Sequence, residues 1–503
     1  MALRRLRIVL AIIFWCLITL LFLDFTGTIH AWFGWMAKIQ FVPAVLALNF
    51  IVVAALLLLT LLLGRVYCSV ICPLGVMQDA WAWLGRRGKK NKNRYSYSRP
   101  LNWLRYTLLA IFVVLFICGL GVFASIIEPY SAYGRIASSL LSPVYIWFNN
   151  LFAGIAEHYE SYAFYSHDLW IRSMPLVAVG AVTLVAVAVL AWRNGRTWCN
   201  TICPVGTVLG FFSRFAWLKP VIDTSKCVNC GLCARRCKAS CIDAKKHAID
   251  YSRCVACMDC LTSCSQGAIK YVHKASASAP ANNKSESASG SNAADTGRRM
   301  FLLGVGTAAA AVTLKAQEMK VDGGLAAIQK KEAPRRRTPI TPPGSKGIDN
   351  LTSHCTACQL CISSCPNGVL RPSTDSGRLM MPESSYERGY CRPECTSCSD
   401  ACPTGAIIPI TKEEKTAVQI GHAVWVKSNC VPLTDGVECG NCERHCPTGA
   451  ITMVPSDPND EESVKIPVVN ESVCIGCGAC ENLCPARPFS AIYVEGHERH
   501  RNI

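Results

Sequence analysis

"CTACQLCISSCP", residues 355–366, sets four cysteines at intervals of three, three and four. The chain holds 31 cysteines in 503 residues, too many for packing alone, so the choice lies between disulfides, zinc and iron–sulfur clusters. Disulfide frameworks rarely repeat one tight spacing, and structural zinc usually takes two CxxC pairs separated by a longer loop. Six groups in this chain follow the CxxCxxCxxxC pattern or nearly do, and that run ligates 4Fe–4S clusters through thiolates. Zinc keeps a claim mainly on the least regular group, "CVPLTDGVECGNCERHCP".

The groups come in pairs, and in dicluster ferredoxin folds three cysteines of one run and the fourth of its partner hold each cluster. "CVNCGLCARRC" and "CVACMDCLTSC" then give Cys227, Cys230, Cys233 with Cys264, and Cys254, Cys257, Cys260 with Cys237; Cys241 is left over. Lys238 and Ser265 stand where a proline usually follows the fourth cysteine. "CTACQLCISSCP" and "CRPECTSCSDACP" give Cys355, Cys358, Cys361 with Cys402, and Cys391, Cys395, Cys398 with Cys365. The last pair gives Cys430, Cys439, Cys442 with Cys484, and Cys474, Cys477, Cys480 with Cys446. "CPTGAI" occurs twice and "SQGAI" follows Cys264; each is expected to be a glycine turn leading into a strand, as in "AIKYV" and "AIIPI". Six 4Fe–4S clusters in three α+β dicluster modules are therefore expected.

The N-terminal part is of another kind. The hydrophobic content is 51%, and apolar stretches at about 6–23, 43–63, 106–127 and 174–192 predict an α-helical four-span membrane domain over residues 1–220. The net charge of +17 gathers beside these stretches without the aromatic-interleaved module of a nucleic-acid binder, so nucleic acid is excluded as a partner. "GRRGKKNKNRYSYSRPLNWLR" carries eight Lys or Arg, whereas residues 128–173 carry only Arg135 and Arg172. Positive-inside counting puts the N-terminus, the 64–105 connection and the region after Trp192 in the cytoplasm. "YCSVICPLG" and "WCNTICPVG" close the two hairpins and form an internal CxxxCP repeat. Cys68, Cys72, Cys199 and Cys203 are expected at the cytoplasmic membrane edge, converging on one tetrathiolate site for iron or an additional iron–sulfur group. Cys16 and Cys118 read as buried packing residues.

No histidine lies inside the four stretches and no CxxCH occurs, so haem has no ligands of the usual kind. Outside, Glu157, His158, Glu160, His167 and Asp168 are candidates for proton handling at a quinol site. A dicluster domain over 221–273 is followed by "KASASAPANNKSESASGSNAADTG", a flexible linker at 274–297. Residues 298–316 look like a twin-arginine export signal or anchor, and a four-cluster domain is expected over 348–503. "GVGTAA" at Gly304 follows no strand and opens no βαβ unit, so it is no nucleotide site.

Residues 1–275, with their CxxxCP phrases and dicluster module, resemble NapH-type membrane ferredoxins; the remainder resembles NapG, an exported four-cluster ferredoxin with a twin-arginine signal. The chain looks like a fusion of the two, which explains an export signal in mid-chain. Gly297 and Leu303 depart from that signal's common residues. The resemblance implies a quinol dehydrogenase component of the cytoplasmic membrane. It would oxidise quinol, menaquinol above all, and pass electrons to an exported terminal reductase, such as periplasmic nitrate reductase, or a c-type cytochrome. Two other readings are open: a maturation factor for the metal centres of a respiratory enzyme, and a relay from a cytoplasmic donor. If the signal at Arg298 and Arg299 is used, a C-terminal reporter will report from outside the cytoplasmic membrane in intact cells. Replacing both arginines with lysine will return it to the cytoplasm.

Overall fold

A computed structural model of the chain describes residues 2–24, 26–87, 95–161, 163–273 and 329–503. The linker and the twin-arginine segment lie outside these residues.

Among the described residues two helices are long and apolar enough to cross a membrane, α1 (Ala2–Leu23) and, beyond the central helices, Met174–Asn194. Only 28% of each apolar window is buried, which sets them apart from core helices. The four-span expectation is not met at the other two stretches. Residues 43–63 break at Leu48, whose φ is +52°, and Asn49 caps a new helix, α2 (Phe50–Leu63), by accepting from the Val52 amide. Residues 106–127 break at Gly119, φ +75°, after α4 (Asn102–Ile117). With 14 and 16 residues, α2 and α4 rise roughly 21 and 24 Å, short of the ~30 Å hydrocarbon core.

The proline of each CxxxCP phrase begins a helix instead of merely ending one. Pro73 opens α3 (Pro73–Arg86) and Pro204 opens α8 (Pro204–Phe212), because a first-turn residue needs no amide donor. Between them lie α5 (Pro129–Ile136), α6 (Ser142–His158) and α7 (Met174–Asn194). The α5 helix is entirely buried, its N-terminus capped by the Glu128 carboxylate on the Tyr130 and Ser131 amides.

The first dicluster module carries two antiparallel pairs, β1 (Leu218–Ile222) with β4 (Ile269–His273), and β2 (Ile242–Asp243) with β3 (Ala248–Ile249). In the C-terminal part β5 (Leu370–Pro372) pairs with β6 (Pro382–Ser384), and β8 (Ile451–Asp457) with β9 (Asp460–Val469). Strand β7 (Val418–Trp425), which lies between the two modules in sequence, pairs with the terminal strand β10 (Ile492–Asn502). "AIKYV" is a strand as expected, but "AIIPI" is not: the Ile408 amide donates to Gly344 O. The domain also begins earlier than residue 348. Lys331 Nζ donates to Glu481 O, Asn482 O and Cys484 O at 2.6–2.9 Å, and Arg336 pairs with Glu481.

One carboxylate ties the helical part to the first module. Asp79 on α3 meets Arg7 of α1 at 3.0 Å, Arg196 at 2.7 Å and Lys238 at 2.8 Å. Lys238, in the place of the usual proline, also reaches Asp259 at 3.3 Å, and Arg4 bonds Asp259 at 2.8 Å. Burial alone would raise the Asp79 pKa, but Arg196 and Lys238 hold it far below the usual carboxylate range. Asp79→Asn leaves Arg7 and Arg196 without a carboxylate and Lys238 with Asp259 alone, and is expected to cost about 3–5 kcal/mol, read as a lower Tm. Since the pKa is depressed by folding, the wild-type contribution is complete above about pH 4 and drains away below it; the variant's Tm will lack this acid dependence.

Candidate iron–sulfur centres

The regular cysteine runs share an unusual backbone. In each, the residue two after the first cysteine and the residue one after the second have positive φ: Asn229 and Gly231, Ala256 and Met258, Ala357 and Gln359, Gly476 and Gly478. Five of these eight are not glycine and bear a steric cost. A left-handed residue at fixed offsets curls the chain around a point and turns amides toward it, the nest geometry that binds anionic centres. Such strain persists where a site requires it. The Cys391 and Cys430 runs, whose first gaps are longer, have no positive φ at these offsets.

A second turn serves the fourth cysteine. Three residues after Cys237, Cys264, Cys365, Cys402 and Cys446 stand Ser240, Gly267, Gly368, Gly405 and Gly449, all with φ between 50° and 75°. This turn brings amides onto sulfur: Ala268 to Cys264 at 3.3 Å, Ile407 to Cys402 at 3.4 Å and Ala450 to Cys446 at 3.2 Å. After Cys484 a different turn, containing Pro488, delivers the Ala491 amide at 3.3 Å. These bonds favour thiolate, the ligating form.

Three expected quartets each ring a cavity. Cys227, Cys230, Cys233 and Cys264 line one. Cys355, Cys358, Cys361 and Cys402 line a second, and Cys365, Cys391, Cys395 and Cys398 a third. Electrostatic proximity groups Cys260 with Cys257, Cys254 and Cys237, Cys430 with Cys484 and Cys439, Cys442 with Cys439, and Cys477 with Cys474 and Cys446, beside Cys480. Among the described residues no three Cys, His, Asp or Glu are close enough to chelate a single ion; a four-iron core puts each sulfur on a different iron and holds the thiols further apart. Burial pushes the Cys358 and Cys477 thiols up to about 12, so these sites hold neutral thiols until a metal takes the proton's place. The leftover Cys241 is buried, 3.6 Å from Cys237 Sγ and hydrogen-bonded to Cys254. The residues fit 4Fe–4S clusters, each of which accepts and releases one electron when bound.

The four CxxxCP thiols are buried together: Cys203 feels Cys199, Cys68 and Cys72. Each repeat adds an arginine three residues before its first cysteine, and each arginine crosses to the other repeat. Arg65 donates to Cys199 O at 3.1 Å and lies 3.7 Å from Cys68 Sγ; Arg196 donates to Cys68 O at 2.6 Å and lies 4.0 Å from Cys199 Sγ. A Cβ at Gly75 or Gly206 would come within 2.3 or 2.1 Å of those same carbonyls, so the glycine of each phrase is what lets the repeats close. Gln78 Nε2 donates to Cys199 Sγ at 3.3 Å and the Gly206 amide to Cys203 Sγ at 3.3 Å. Arg65 Nε and Arg196 Nη2 are buried without partners, as donors facing an anionic group would be. The "GR" before each phrase was the signal that spacing of cysteines alone did not use.

Comparison with known proteins agrees with these centres. Residues 45–92 and 174–223, the two CxxxCP hairpins, match a family described as a 4Fe-4S binding domain, and residues 354–407 and 437–487 match 4Fe-4S dicluster domains. The methylamine utilization ferredoxin-type protein MauM of Paracoccus denitrificans is 32% identical over 168 residues, 32% of this chain and 73% of MauM. The chain belongs to the ferredoxin-type iron–sulfur electron-transfer proteins. Ferredoxin-type protein NapF of Escherichia coli is 28% identical over 182 residues, 36% of this chain and all of NapF. The putative electron transport protein YccM of Escherichia coli is 24% identical over 200 residues, 39% of this chain, and the chain spans about half of YccM's length, 47%. No solved structure matches.

For this ferredoxin-type protein, six quartets imply about 24 iron and 24 sulfide per chain after anaerobic purification. Any iron above that number is assigned to the CxxxCP quartet. A Cys68→Ser, Cys199→Ser pair will remove that excess and leave the six quartets filled.

Proposed function

We propose that the protein is a membrane-bound electron conduit that oxidises quinol, menaquinol above all, and passes electrons through its C-terminal clusters to an exported reductase, a nitrate-reducing one by the resemblance to NapH and NapG. One observation carries this reading: the thiol sites make a continuous series along α1. At the start of that helix, Arg4 and Arg7 bind Asp259 and Asp79 beside the first module. Arg65 then joins Ser252 O, two residues before Cys254, to the CxxxCP site. At the other end Phe22 packs on Tyr130 of α5, and the Cys358 carbonyl of the C-terminal domain would meet a Cβ at Gly134 within 2.3 Å. Further on, the Cys391 amide donates to Cys477 O at 2.9 Å, linking the two C-terminal modules. A helix of 22 residues rises roughly 33 Å, so the two ferredoxin parts stand a membrane's thickness apart.

That series also favours a second input. Electrons from a cytoplasmic donor could enter at the first module and cross by way of the CxxxCP thiols, reaching the same C-terminal clusters that quinol supplies. Twin-arginine export would place those clusters on the outer face, where a terminal reductase or c-type cytochrome takes the electrons. A maturation role needs no such series.

Anaerobic mixing of the full chain with a reduced menaquinol analogue will bleach cluster absorbance on the scale that dithionite does. If dithionite bleaches the clusters and the analogue does not, quinol is not the donor. In that case the Cys68→Ser, Cys199→Ser pair will tell a relay from other roles, since it blocks transfer from the first module only if the CxxxCP site is the crossing point.

A further inference from the structure

One interior space lies apart from the three quartet cavities described above. It has a volume of about 460 Å³ and lies where the outer ends of α6 and α7 meet the first C-terminal module. Spaces of roughly 300–1,000 Å³ hold small organic ligands. One wall comes from the helical part, with Ser142 and Pro143 opening α6 and Leu176 and Val177 opening α7; the other comes from the cluster module, with Gln359, Ser363 and Cys365.

Two buried acceptors in that second wall have no partner. Gln359 is 2% exposed, and its Nε2 donates to Ala357 O at 3.1 Å and Met380 O at 2.7 Å. Two carbonyls on one atom of the amide fix which atom is nitrogen, so Oε1 is identified, and it is unpaired. Ser363, 8% exposed, likewise has an unpaired Oγ. Both residues line the space, and a ligand with hydroxyl donors would satisfy these acceptors. His167 and Asp168 line the same space and are exposed to solvent, while Trp170 beside them is stacked by Arg388 at 4.4 Å and Arg371 at 4.9 Å. Toward the helical side, Val144, Trp147, Phe148, Leu151 and Ile155 form an exposed apolar stripe on α6 at helical spacing, an approach for a molecule with a hydrocarbon tail.

We propose that this cavity binds the headgroup of an isoprenoid quinol, with Gln359 Oε1 and Ser363 Oγ accepting from its hydroxyls and Cys365 in the wall as the exit for electrons. The assignment rests on the quinol-oxidising reading above and gives it a place. On oxidation both O–H bonds break and the ring becomes the quinone. The two protons leave by His167 and Asp168 to bulk water. A 4Fe–4S cluster held by Cys365, Cys391, Cys395 and Cys398 would take the two electrons one at a time.

The test uses the full chain in detergent with a fluorescent quinone analogue, 2-heptyl-4-hydroxyquinoline N-oxide, and with the reduced menaquinol analogue. Ser363→Ala removes one acceptor and Ser142→Trp fills the helical side of the space. Each is expected to weaken binding of the quinoline oxide by about tenfold or more and to slow bleaching by quinol to a similar degree, with dithionite bleaching unchanged. Wild-type affinity and wild-type quinol rates in both variants would place the headgroup elsewhere and overturn the assignment. If quinol bleaches neither wild type nor variants while the variants still lose the quinoline oxide, the cavity remains a quinone site and it is the conduit reading that falls.

Discussion

Buried arginine needs compensation, and the exchange of Arg65 and Arg196 between the two CxxxCP hairpins is how this fold obtains it. Each guanidinium satisfies a carbonyl of the other hairpin's first cysteine, so neither turn is complete alone. Arg196 also has Asp79. Arg65, fully buried, has Asn200, two backbone carbonyls and sulfur, and among the described residues no carboxylate within ion-pair distance. Its charge is therefore balanced only when the thiols beside it ionise, and ligation of a metal does that. The joint between helical part and first module is built on the same arginines, since Asp79 and Ser252 belong to their network.

The ferredoxin runs solve a related problem through the backbone. Their thiols are driven toward the neutral form by burial, and the countermeasure is a set of left-handed residues at constant offsets that aim amides at sulfur. Where the first gap is lengthened, as after Cys391 and Cys430, the ligand is carried on a looser loop and the strain is absent, though the turn after the fourth cysteine is retained at Gly405 and Gly449. The steric cost is accepted at Ala256, Met258, Ala357 and Gln359, residues that have no local reason for positive φ other than what they surround.

Cysteine spacing alone made the ferredoxin modules legible, because a rigid inorganic core dictates the intervals. The repeat marked Cys68, Cys72, Cys199 and Cys203 as a set, and the structure buries all four. Hydropathy was a poorer guide: the stretches at 43–63 and 106–127 are apolar throughout, yet Asn49 as a cap and Gly119 as a left-handed turn divide each into shorter helices, and an apolar count does not weigh one capping side chain. Lys331 and Arg336 hold carbonyls and a carboxylate near Cys484, contacts more than a hundred residues away in sequence. Nothing local marks such partners. His167 and Asp168 were legible as titratable residues of the 128–173 segment, whereas Gln359 and Ser363 sit inside a cluster run and carry no motif of their own.

The pairing of β7 with β10 has a consequence for how the C-terminal domain comes into being. Its last strand closes on a segment that lies between the two modules, and Gly347 bridges Arg499 close to the same end. The domain is thus a closed circuit, not two beads on a string, and its contacts are of high sequence separation. Folding of this kind is slow and completes only once the whole chain has left the ribosome. The first module, whose strands pair within some fifty residues, is under no such delay. Synthesis itself thereby imposes an order: the first module can fold and dock while the C-terminal domain is still an open chain.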